Sequence, residues 1–306
     1  MSKKRGIGLD DITVPMRRRT LLSVPLAVIP VAAAPLPLKL SVRVEALFPG
    51  LTLTEQIRKV ASAGYQGFEF GDWRAQDAKQ ITALKNRLGI ECACIVGNRS
   101  VNPVGMGLCN PAERDGFLAE IRASTEAALR FETKQIVVLS GFKVPGLSRE
   151  AQHASIVEGL KRAHDLVAPH AVTMIVEVIN TLAAVEPLNP KGNNHADYYL
   201  DRTPEAFQIV REVGSPFVKI LYDIYHTQIM EGNVIETIRK NIAAIAHFHV
   251  GDVPGRHEPG TGEIHHPNVF RAIRDTKFAG FVAMEYVPIK DAMQTLKDVR
   301  RMVERL

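Results

Sequence analysis

At 306 residues with 46% apolar side chains, the chain is long for an average domain but ordinary for one α/β barrel, and it can bury a sizeable core. Its formal charge of +5 sits mostly at the start: taking the six basic and two acidic residues of 1–34 from totals of 38 and 33 leaves 32 against 31, a net of +1. A near-neutral remainder offers no basic stripe to a phosphate backbone, which argues against a nucleic-acid partner.

Residues 1–34 read as a signal segment. Arg17-Arg18-Arg19-Thr20-Leu21-Leu22 precedes an apolar stretch that ends in Val31-Ala32-Ala33-Ala34, a small-residue cleavage pattern. The arginine pair with Thr and two leucines resembles a bacterial twin-arginine signal, and Met16 is an alternative start. The stretch is shorter than the roughly 20 residues a membrane helix needs, so no stable span is expected. The expected location is periplasmic or exported, and cytoplasmic if the signal is not used; the competing reading is a basic tail with a short anchor helix.

From residue 37 onward, apolar β-like runs fall at 39–48, 67–70, 90–96, 135–140, 173–179, 218–225, 246–250 and 280–286, and the apolar residues 242–246 also read as strand. Between them lie helical patterns at 54–63, 77–88, 111–131, 148–168, 203–213, 233–241, 267–275 and 291–306. Pro204 and Pro267 stand at early helical positions, where the missing N–H costs nothing. Strict alternation of eight and eight predicts one α/β domain over 37–306, a single (β/α)8 TIM barrel preceded by the signal segment. An open doubly wound sheet is the runner-up, disfavoured because no Gly-rich phosphate loop follows a strand. The connection from Thr181 to Tyr199 is too long for a plain β–α turn and is expected to cover the barrel mouth or pack on a neighbouring subunit. Cys92, Cys94 and Cys109 read as buried thiols remote from the chemistry, with a Cys109 disulfide open in an oxidising compartment.

The chemistry gathers at the carboxyl ends of the last four runs. Glu177, Asp223, His249 and Glu285 each close or nearly close an apolar strand, and a carboxylate there is costly unless it is paired or bound to a cation. Three carboxylates and one imidazole suit a divalent ion of intermediate hardness, Mn, Mg or Co, and zinc is also compatible. After His249 comes a loop, 251–263, that combines Gly and Pro with acid, base and imidazole groups; such a loop is poor packing material and good active-site material.

Here the chain resembles a known family. Glu177-Val178-Ile179-Asn180, Tyr222-Asp223-Ile224-Tyr225-His226 and Pro254-Gly255-Arg256-His257-Glu258-Pro259-Gly260-Thr261-Gly262-Glu263 resemble hydroxypyruvate isomerase, within the xylose isomerase-like barrel superfamily that includes ketose 3-epimerases and endonuclease IV. The resemblance covers most of 38–306. It implies that Glu177, Asp223, His249 and Glu285 bind the metal and that Glu177 and Glu285 are also the acid/base pair. It further implies that His226 and Arg256 hold substrate oxygens, with the guanidinium suited to a carboxylate. Glu258 is a third substrate-side candidate, orienting His226 or Arg256 or forming a loop salt bridge, and Trp73 is placed either to stack on a sugar face or to pack at the rim. Glu69, Asp72, Asn98 and Arg99 are weaker pocket-lining candidates.

The implied substrate is a small hydroxy-carbonyl compound, sugar or sugar acid, and a homo-oligomer is compatible with the family. Position 249 is His where hydroxypyruvate isomerases carry Gln, which is similar to the ketose 3-epimerases. A lyase acting on an oxidised sugar or glycoside would share the proton abstraction. A repair endonuclease would need histidines after the second and third strands, where the sequence reads Glu69-Phe70-Gly71 and Val96-Gly97-Asn98.

Overall fold

In a computed structural model, the structure describes residues 36–98, 107–182 and 195–306. Residues 1–34, on which the signal reading rests, Arg99 and most of the long connection after Thr181 lie outside them. Eight strands, β1 (Lys39–Val42), β2 (Gly67–Phe70), β3 (Glu91–Val96), β4 (Gln135–Val138), β5 (Thr173–Glu177), β6 (Val218–Asp223), β7 (Ile245–Val250) and β8 (Phe281–Met284), form one parallel sheet. Each pairs with its sequence neighbour from β2 through β8, and β8 pairs with β1. Among the described residues the seam between β1 and β2 carries one parallel bridge, Arg43 to Glu69, beside hydrogen bonds between Gln66 and Leu40, so the barrel is nearly closed. Strands such as Met174-Ile175-Val176 are buried on both faces, which is why they read as continuous apolar runs rather than alternating ones.

The helices are α1 (Val44–Leu47), α2 (Leu53–Ser62), α3 (Ala78–Leu88), α4 (Arg114–Phe131), α5 (Arg149–Val167), α6 (Thr203–Val213), α7 (Ile224–Met230), α8 (Val234–Asn241), α9 (His266–Asp275) and α10 (Ala292–Glu304). Their starts follow from side chains that accept the otherwise unpaired first-turn N–H groups: a Thr52/Glu55 capping box, then Asp77, Ser148 and Asp291. At α6 that service comes from a distance, because Glu231 takes both the N–H (2.6 Å) and the hydroxyl (2.7 Å) of Thr203. Among the described residues no helix is long and apolar enough to cross a membrane.

Most strand expectations overran, β4, β5 and β8 by only two or three residues, ending at Val138, Glu177 and Met284. Residues 44–47 form α1 instead of extending β1. Ile242–Ala244 is a 3-10 turn, with strand beginning at Ile245. β6 stops at Asp223, whose side chain accepts the N–H of His226 (3.0 Å) and so starts α7 at Ile224-Tyr225, two residues whose bulk reads as strand. The three cysteines are buried free thiols, so no disulfide forms among them.

Candidate active site

The four strand-end residues meet. One ligand atom each from Glu177, Asp223, His249 and Glu285 falls within 4.8 Å of the others, at the carboxyl-end face where (β/α)8 barrels carry their chemistry. His249 Nδ1 is the hub: Glu285 Oε2 lies 2.7 Å away, Glu177 Oε1 3.4 Å and Asp223 Oδ2 3.8 Å. Asp223 is fully buried, His249 almost so, and the two glutamates are 8% exposed, enough for a small molecule to reach them.

Burial pushes the Glu177 carboxyl up, and His249 offsets part of this. Burial raises Asp223 likewise, against the pull of Arg256. At Glu285 burial works in the same direction but is outweighed by His249 and Arg256, which hold it well below the ordinary carboxylate range. Two neighbouring carboxyls are thus pushed in opposite directions, the split by which one site can hold both an acid and a base. Burial disfavours charge on His249, yet Glu285 and Glu69 outweigh it and keep the ring protonated far above its ordinary range.

A divalent ion fits this set. The Nδ1 atom of His249 is buried without an aligned hydrogen bond, although a carboxylate oxygen stands 2.7 Å away. Hard carboxylate oxygens and one imidazole nitrogen aimed at a common point form the donor set such ions take.

The neighbouring residues divide. Arg256 enters the cluster: its Nη2 reaches Asp223 Oδ2 at 2.8 Å and Glu285 Oε2 at 2.5 Å, and its guanidinium lies over the Tyr225 ring at 4.9 Å. His226 stands at the edge, Nε2 3.5 Å from Asp223 Oδ2, its other ring nitrogen 2.6 Å from the Asn180 amide. Glu258 makes a loop contact, though to backbone and not to a cation. Its oxygens accept the backbone N–H groups of Ile289 (2.8 Å) and Lys290 (3.3 Å), tying the segment after β8 to the 251–263 loop. Trp73 is buried, donates its indole N–H to the Val96 carbonyl (2.8 Å), and has the Arg74 guanidinium 4.2 Å over its ring. Asn98 clamps the backbone of Leu139 through both ends of its amide.

Two residues that sequence reasoning undervalued organise the rest. Asp252 is fully buried and accepts five backbone N–H groups, from Val253, Gly260, Thr261, Gly262 and Ile264, at 2.9–3.1 Å. The Gly-rich loop is thus wound around one carboxylate. At Gly262 a Cβ would stand 2.0 Å from the Val253 carbonyl oxygen, so only glycine fits. Asp252→Ala strips five donors of their acceptor and is expected to destabilise the protein by about 3 kcal/mol and to misplace Arg256. Urea unfolding of the variant checks this, and a midpoint unchanged from wild type contradicts it.

The second is Glu69, fully buried in β2. Its Oε1 lies 2.7 Å from His249 Nε2 and its Oε2 2.7 Å from His247 Nε2. Cys94 stands 3.5 Å from the same Oε2, so this thiol is not remote from the site as its place in the sequence suggests. The only hint was an acid between two phenylalanines in a short buried strand.

Comparison with known proteins agrees with the architecture. A family model described as xylose isomerase-like TIM barrel matches residues 57–305. Hydroxypyruvate isomerase of Escherichia coli (strain K12) is 30% identical over 257 residues, 82% of this chain and 94% of that protein. A 2-oxo-tetronate isomerase of Cupriavidus necator is 30% identical over 238 residues, 76% of this chain and 86% of that one. The solved structure of a family 2 AP endonuclease from Brucella melitensis superposes with a TM-score of 0.75 at 26% identity, covering 85% of this chain and 97% of that one.

Proposed function

This chain belongs to the hydroxypyruvate isomerase family of xylose isomerase-like TIM barrels, and from that premise we propose that it is a metal-dependent isomerase of small 2-oxo acids. The reaction proposed is aldose–ketose interconversion through an enediolate, hydroxypyruvate to tartronate semialdehyde or the equivalent step on a related keto-sugar acid. The observation that carries this reading is the meeting of Glu177, Asp223, His249 and Glu285 within 4.8 Å, with the Arg256 guanidinium among them.

Glu177, Asp223, His249 and Glu285 would hold the ion, which when bound supplies Lewis-acid polarisation of the substrate carbonyl and charge stabilisation of the enediolate. Of the two exposed-tip carboxylates, one takes the C–H proton α to the carbonyl, the electron pair moving toward the carbonyl oxygen. A carboxyl then returns a proton at the neighbouring carbon, and the hydroxyl proton passes between the two oxygens, so the product is an isomer and nothing is consumed. Arg256 grips the substrate carboxylate, and His226, fixed by Asn180, faces a hydroxyl. The near-complete burial of these side chains keeps water from quenching the intermediate.

His at position 249 favours a second reading, a ketose 3-epimerase in which the same two carboxylates exchange a proton at one carbon. Against a nuclease, the ends of β2 and β3 that would need histidines carry Glu69 and Asn98, both engaged in protein contacts. Export by the twin-arginine route remains part of the proposal, tested by fractionating cells that express the full chain.

The experiment is a substrate panel on wild type and Arg256→Ala. Hydroxypyruvate and 2-oxo-tetronate are expected to turn over in wild type. Losing a charge-assisted clamp worth about 1.5–3 kcal/mol should raise their KM by roughly 10–100-fold relative to a neutral ketose. Equal effects on acids and neutral ketoses would contradict the acid-substrate assignment.

A further inference from the structure

We propose that Glu69 is a positioning residue for the ion site: it takes the Nε2–H of His249 and thereby aims that ring's Nδ1 at Glu177, Asp223 and Glu285. This rests on the ion reading of the four-residue cluster and adds a fifth, buried residue to it. The geometry is reciprocal. Glu69 Oε1 stands 2.7 Å from His249 Nε2, while Nδ1 of the same ring stands 2.7 Å from Glu285. An ion can bind His249 only by displacing a ring proton; the neutral imidazole that results has one N–H and one lone pair, so a carboxylate on Nε2 leaves Nδ1 as the ligating atom.

Glu69 is itself held. Its second oxygen, Oε2, accepts from His247 Nε2 at 2.7 Å and from the Cys94 thiol at 3.5 Å. His247 and His249 are alternate residues of β7 with their rings edge-to-face at 5.2 Å, so one strand presents both donors to one carboxylate. On the opposite side of the barrel the backbone is adjusted to match. Between Phe68–Cys92 and Phe70–Ile95 the β2–β3 register slips, and Glu69 and Cys94 fall inside that irregularity. Such irregularities re-aim side chains next to active sites. Glu69 also makes the one bridge across the β1–β2 seam, which fixes its backbone from the other side. A fully buried carboxylate that served packing alone would be an expensive choice; one that orients a ligand on the far wall of the barrel has a use for its charge.

Glu69, Cys94 and His247 also lie within 4.8 Å of one another, near enough to serve as three ligands of a second ion. The positioning role accounts for more of the geometry, because it uses both Glu69 oxygens and both 2.7 Å contacts as hydrogen bonds.

The test uses the whole protein and zinc. In zinc-loaded wild type with 15N-labelled histidine, long-range 15N–1H correlation is expected to show His249 metal-bound at Nδ1 and protonated at Nε2. Glu69→Gln, which keeps the shape and loses the charge, is expected to weaken zinc binding by about 10–100-fold in a chelator competition. Nε2 ligation by His249, or unchanged affinity in a folded Glu69→Gln variant, overturns the assignment. So does a second zinc per chain that disappears on Cys94→Ser substitution. If Glu69→Gln does not fold, the wild-type spectrum decides alone. Wild type that binds no zinc removes the ion reading and this inference together, whereas normal wild-type binding with an unaffected variant removes only Glu69.

Discussion

Glu285→Gln is expected to lower turnover by about a thousandfold or more while the protein remains folded, and Glu177→Gln to do the same. Each change keeps the shape of the side chain and removes its ability to carry a proton. Both carboxylates surround the same His249 nitrogen, at 2.7 and 3.4 Å, and both keep a small exposed tip in an otherwise buried cluster. Burial and neighbouring carboxylates push the Glu177 carboxyl up, so neutralising it should shift thermal unfolding little or upward, whereas Glu285→Gln gives up pairing with His249 and Arg256 and should shift it down. Steady-state rates and circular-dichroism melts on the same preparations separate the two effects. A variant that retains wild-type turnover removes that residue from the acid/base role.

Stripping divalent ions with a chelator is expected to abolish turnover, and manganese to restore it. Asp223→Asn should make the loss permanent. Asp223 is fully buried, lies 2.8 Å from the Arg256 guanidinium, and supplies one of the four ligand atoms. Asn at this position can still accept the N–H of His226 that starts α7, so the fold survives while a formal charge is lost from the site. Ion affinity should fall by more than about 100-fold, read by metal analysis after dialysis. Unchanged metal content would take Asp223 out of the ligand set.

The strand-end residues were legible because burying a carboxylate at the tip of an apolar run is costly unless a cation meets it, and four such tips in chain order imply convergence in a barrel. The organising residues were not. Glu69 and His249 are separated by 180 positions, and only the closed sheet places them 2.7 Å apart. Asp252 stood in plain view in a loop with several acids, yet nothing in the order of residues says which acid collects five N–H groups. For Glu258 the sequence left a substrate-side role and a loop contact open, because its partners, the N–H groups of Ile289 and Lys290, carry no side-chain signal at all. The strand after Val218 was read two residues too long because Ile224 and Tyr225 favour extended backbone, while the capping capacity of Asp223 was the competing signal that won.

Proton abstraction next to a carbonyl is the central claim, and a deuterium wash-in experiment tests it most directly. The manganese-loaded protein is incubated in heavy water with hydroxypyruvate, 2-oxo-tetronate and a set of neutral keto-sugars, and the products are read by NMR. Solvent deuterium entering a carbon beside the carbonyl of an oxo acid, and lost with Glu285→Gln, is the result the site predicts. No exchange into any of these compounds by folded, ion-loaded protein would contradict it.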